Sequence, residues 1–100
     1  RLTLHFAGVL ANNFVNHLIG QAFEILEQEG VNKSIIYPLI DETIHKAIIN
    51  NPYTIQTGPA ISNNTKTIEK HLNLIENNAS LQAIYKVISE NIMRVHSEKS

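Results

Sequence analysis

The side chains that could do chemistry are few: His5, Asn12, Asn13 and Asn16 near the start, then the loop Gln56, Thr57, Gly58 and Pro59. Amide and imidazole groups can donate hydrogen bonds to a developing negative charge, and imidazole, which ordinarily titrates near neutral pH, can also give up a proton. On a helical wheel of about 100° per residue, the four side chains of the first group fall within a sector of about 100°. Asn is a middling helix former, so three in five positions call for a reason. Each group also has a purely structural reading. His5 can be a hydrogen-bonded structural histidine, the three Asn can satisfy backbone groups of a neighbouring chain, and the loop can be a connector.

Other chemistries lack their residues. No two of the five histidines are spaced i, i+4 and none belongs to an HExxH pattern, so no metal site is expected. Glycine-rich phosphate loops of the GxGxxG or GxxxxGK type are missing, as is the GxSxG nucleophile elbow, so any nucleotide must be held mainly by another domain. With eight Lys and Arg against nine Asp and Glu, scattered along the chain, there is no basic stripe for nucleic acid. The chain has no cysteine, which rules out a disulfide framework and a thiolate nucleophile and fits a cytoplasmic location. No segment has the apolar length of a membrane span, and no signal-peptide layout opens the chain.

The elements that must position these residues are all helical. Leu2 to Glu29 contains no Pro and reads as one long helix, with Leu4, Ala7, Ala11, Phe14, Leu18, Ala22 and Ile25 on one stripe, widened by Val15 and Leu26. Leu2, Phe6, Val9, Leu10, Ile19 and Phe23 lie off that stripe, a surplus that makes this helix either central or shared with a second subunit; a homodimer is expected. Gly30 should end the helix as a C′ glycine, with Val31 folding back. Asn32 or Ser34 can cap a second helix through Ile48, which Pro38 must kink or start. Asn50 to Thr65 has no helical period and reads as a structured loop or a short helix between loops. Asn64 or Thr65 then caps a helix carrying Ile68, Leu72 and Ile75, and Asn78 or Ser80 caps a last one running from Leu81 to Val95. The fold expected is all-α, one domain over residues 1–100, a bundle of about five helices around the long first helix. Because Arg1 already lies inside a helical pattern, a preceding segment is expected.

Four stretches occur in order: "HFAGVLANNFVNHL" (5–18), "EGVNKSIIYPLIDETIHKAI" (29–48), "NPYTIQTGPA" (51–60) and "TIEKHLNLI" (67–75). Together they resemble the C-terminal helical domain, a domain of unknown function, of Rossmann-like NADP-dependent oxidoreductases. That domain is similar to the C-terminal domains of 6-phosphogluconate dehydrogenase and ketopantoate reductase. The resemblance implies an upstream Rossmann domain that binds most of the NADP, a small-molecule substrate in a cleft against the helices, and dimerisation through the helical domain. If the domain closes over a nicotinamide held by that upstream domain, amide and imidazole donors on a rigid helix suit the developing oxyanion, so the expected roles are His5 as proton donor, Asn13 and Asn16 orienting the substrate, and Asn12, Gln56, Thr57, Gly58 and Pro59 lining its site. The better-known relatives carry a Lys one turn before the Asn on this helix; here Gly8, Val9 and Asn12 stand one turn before Asn12, Asn13 and Asn16. Where the family has a basic and an acidic residue just after the Gly-Pro, this chain has Ser62, Asn63 and Asn64. The alternative function is a non-catalytic helical domain for assembly or regulation beside a nucleotide-binding module.

Overall fold

The computed structural model describes residues 1–99. Its elements are α1 (Leu2–Gly8), a π-helical turn (Val9–Phe14), α2 (Val15–Gln28), a 3₁₀ turn (Lys33–Ile36), α3 (Tyr37–Ile49), a second 3₁₀ turn (Pro52–Ile55), α4 (Thr65–Leu74) and α5 (Ala79–Lys99). The protein is all-α. Gly8, Val9, Phe14 and Val15 keep right-handed helical dihedrals, so α1, the π turn and α2 are one unbroken helix. Counted that way there are four helices among the described residues, one fewer than the sequence suggested. The segment after Gly58 closes as turns, because Gly58 (φ 104°) and Asn63 (φ 55°) both take left-handed dihedrals that end a right-handed helix.

The π turn is what the helical wheel missed. Gly8, Asn12 and Asn13 are weak helix formers, which lowers the cost of departing from α geometry there. An i→i+5 turn absorbs one more residue than an α turn, so everything beyond Phe14 lags by about 100° relative to a straight α-wheel. The expected core stripe through Leu4, Phe14 and Leu18 is therefore wrong: all three are exposed. The half-buried face of α2 instead runs through Val15, Ile19, Ala22, Phe23, Ile25 and Leu26, a shift of one residue for the positions nearest the turn. No residue of α1, the π turn or α2 is fully buried.

The described chain forms two compact units that divide between Ile44 and His45. In the first, the long helix stops as expected. Gly30 sits at φ 70°, its N–H donates to the Glu27 carbonyl (3.1 Å), and the Val31 N–H donates to that of Leu26 (2.8 Å), the paired bonds of a Schellman end. Asn32 caps the next turn by accepting from the Ser34 N–H (3.0 Å), and Pro38 falls in the first turn of α3, where its missing N–H costs nothing. Phe23 packs its ring 5.7 Å from that of Tyr37, with the Lys33 ammonium 5.3 Å from the Phe23 ring and 3.5 Å from the Glu27 carboxylate.

The second unit holds the two buried residues found among the described ones, Ala60 and Ile75. Asn51, Asn64 and Asn78 each accept a backbone N–H, from Tyr53, Thr67 and Leu81, and so start the second 3₁₀ turn, α4 and α5. The latter two helices are joined by the His71 Nδ1 to Tyr85 hydroxyl hydrogen bond (2.7 Å), with the rings edge to face, and by Gln82 donating to the Leu72 carbonyl (2.9 Å). Burial raises the Tyr85 phenol pKa above its ordinary value of 10.0.

Candidate functional site

The polar strip lies on α1, the π turn and the first turn of α2, entirely within the first unit. All four of its side chains are exposed, and among the described residues none has a side-chain hydrogen-bond partner. Among the described residues, then, His5 has no hydrogen bond of the kind a structural histidine makes. The π turn also reorders the strip. On an α-wheel His5 aligns with Asn12 and Asn16 while Asn13 stands about 80° away; with the lag, Asn13 comes onto the line of His5, and Asn12 pairs with Asn16 one turn on. His5 and Asn13 are two turns apart, roughly 10–12 Å along the axis. They cannot bond each other, but a small molecule lying along the helix can reach both.

The loop residues Gln56, Thr57, Gly58 and Pro59 belong to the second unit. Their conformation is fixed by local bonds. Gln56 Nε2 donates to the Thr57 carbonyl (3.2 Å), Ser62 donates to the Gly58 carbonyl through both its N–H (3.3 Å) and its hydroxyl (3.1 Å), and the Asn64 N–H donates to that of Pro59 (2.8 Å). Ala60, buried beneath this turn, anchors it. Gln56 also borders a small cleft of about 80 Å³, walled by Tyr53, Ile61, Ile92 and Val95, where the Lys99 ammonium lies 4.8 Å from the Tyr53 ring. That volume is about half of the roughly 150 Å³ cavity that holds a benzene, so the cleft alone is too small for a substrate of drug or metabolite size. Nothing in the sequence linked Tyr53 to Lys99, since a loop and a polar helix end share no period.

No group of three His, Asp or Glu able to hold a metal ion comes together among the described residues, and no described helix is long and apolar enough to cross a membrane. The described residues include no strand, hence no strand–turn–helix cradle for a dinucleotide's phosphates.

A family model, described as a domain of unknown function (DUF2520), matches residues 1–92. The chain belongs to the DUF2520 family. The match takes in the polar strip and the Gln56 to Pro59 loop and stops before Val95 and Lys99, so the far wall of the small cleft lies outside the matched part of the DUF2520 domain. Among solved structures, this DUF2520 domain is similar to the crystal structure of a putative NADP oxidoreductase from Bacteroides fragilis. The two share 36% identity with a TM-score of 0.91, over 94% of this chain and 37% of that one. The resemblance read from the sequence is borne out, and the chain spans little more than a third of that protein's length. None of the curated proteins matches.

Proposed function

We propose that this chain is the substrate-binding and dimerisation part of an NADP-dependent oxidoreductase whose Rossmann domain precedes it. The observation that carries the reading is the 36% identity, over almost all of this chain, to part of the putative NADP oxidoreductase from Bacteroides fragilis. The absence of a phosphate cradle among the described residues fits a cofactor held by the other domain. NADP bound there would supply the hydride chemistry. This chain's own part is to hold the substrate: His5 donates a proton to its oxygen or nitrogen, Asn13 on the same line and Asn16 one turn on orient it by amide hydrogen bonds, and Asn12 lines its site. Donors fixed on a helix suit this task because they need no reorganisation when charge develops.

The test is the full-length protein with NADPH and a panel of carbonyl and imine compounds, then His5→Ala and Asn13→Ala on the substrate found. Turnover should fall roughly a hundredfold or more in folded protein, the scale of a general acid. Lost stability with turnover per folded molecule intact would make these residues structural. The missing Lys one turn before the Asn residues favours a second reading, a non-catalytic assembly or regulatory domain. Cofactor binding without turnover across the whole panel would select it.

A further inference from the structure

Leu2, Phe6, Leu10, Phe14 and Leu18 follow one another at intervals of four. On a straight α-helix each step of four advances about 40°, so five such residues wind over about 160° of the surface. The lag introduced by the π turn cancels most of that drift and gathers them within about 65°, a nearly axial ladder. All five are exposed, from 85% at Leu2 to 39% at Leu18.

The ladder reads the same in both directions: Leu, Phe, Leu, Phe, Leu, with Leu10 at its centre. Across a two-fold axis residue i meets residue j of the other copy while j meets i, so an antiparallel pairing centred on Leu10 sets like against like, Leu on Leu and Phe on Phe. Charge permits it as well. From Leu2 to Phe23 there is no Asp, Glu, Lys or Arg, so laying the helix against its own copy brings no like charges together. Taking about 200 Å² for a whole Leu or Phe, the five exposed side chains offer roughly 550 Å² per chain, against about 800 Å² per partner in a stable interface. For the pair that is about 1,100 Å², short of the standard size but above the roughly 1,000 Å² that a specific interface should clear.

The geometry points to an antiparallel pairing of this helix with a second copy of itself, the two-fold axis passing Leu10. Phe6 then meets the partner's Phe14, and Leu2 meets the partner's Leu18. This deepens the dimerisation proposed above and rests on it. A contact with the chain's own upstream domain would bury the same face without setting like residues opposite one another.

The experiment uses single-cysteine variants of the full-length protein, with the unsubstituted protein as control, together with its mass by light scattering. Leu10→Cys should be cross-linked to a dimer by a short bismaleimide. Leu2→Cys should not, since the two copies of residue 2 would stand about 24 Å apart. Phe6→Arg and Phe14→Glu should each weaken dimerisation at least tenfold, and the double variant should restore it to within about threefold by placing Arg opposite Glu twice. A monomeric unsubstituted protein at high micromolar concentration overturns dimerisation itself. A dimer that cross-links at Leu2→Cys, or that ignores both charged variants, leaves dimerisation standing and overturns the two-fold at Leu10. Because the charged variants are read by mass and by mutual rescue, a failure of Leu10→Cys to fold does not protect the proposal.

Discussion

Deleting Ala11 should be nearly silent, although deleting a residue from a helix usually is not. Removing one residue from an α-helix turns everything beyond it by about 100° and draws it back by about 1.5 Å. Ala11 lies inside the π turn, so its loss converts i→i+5 bonds to i→i+4 and removes the surplus residue instead. Residues Leu2–Phe14 contribute one half-buried side chain, Val9, and the expected loss is below about 1 kcal/mol. The control is deletion of Ala22 in α2, which swings Phe23, Ile25 and Leu26 off their half-buried face. A fully buried apolar side chain is worth about 1.5–3 kcal/mol, so half-burial of these three comes to about 2–4 kcal/mol. At roughly 2–4 °C per kcal/mol for a protein above 150 residues, thermal unfolding of the full-length protein by circular dichroism should fall about 5–15 °C for the Ala22 deletion and under about 4 °C for the Ala11 deletion. The Ala11 deletion should also stay dimeric, because the spacing 2, 6, 10, 13, 17 that it leaves keeps the ladder on one α-helical face. Equal damage from the two deletions would refute the reading of the π turn as an absorbed residue.

Gly30→Ala should cost about 1 kcal/mol in urea unfolding: a Cβ there meets nothing within 4 Å, so the penalty is the left-handed backbone alone, and Gly30→Asn should cost less. Asn64→Ala removes the acceptor for the Thr67 N–H and should cost about 1 kcal/mol, read in the same way. Because burial raises the Tyr85 pKa in the folded state, its contribution is complete below pH 10.0 and is lost as pH rises beyond that value. Tyr85→Phe should lower the melting temperature at neutral pH through the lost bond to His71, yet show a flatter decline than the parent in alkali.

Much of this fold is written in local chemistry. A 3.6-residue period fixed the helical class, and the stop at Gly30, the caps at Asn32, Asn64 and Asn78, and Pro38 in a first turn each follow from one residue's backbone preference or side-chain acceptor. The π turn was hidden because its signature is a hydrogen-bond register, not a residue type. Gly8, Asn12 and Asn13 reveal a weak stretch without saying how it relaxes, and a wheel drawn at 100° placed Phe14 and Leu18 in the core. The members of the candidate strip were legible, while their alignment, His5 with Asn13 and Asn12 with Asn16, was not. The loop from Asn50 to Thr65 was likewise visible, but the left-handed Asn63 within it carries no pattern of its own.

The four side-chain caps described above are all asparagine, at residues 32, 51, 64 and 78, and none of the segments they begin has an acidic residue in its first turn. An aspartate cap adds a charge that acid removes and salt screens; an amide does neither. The starts of these segments therefore have no titrating group to lose. Acid has to act on the protein elsewhere, and the exposed ion pairs Lys33–Glu27 and Arg94–Glu98 are too well solvated to hold much of the fold. The capping scheme should persist at low pH and at high ionic strength alike.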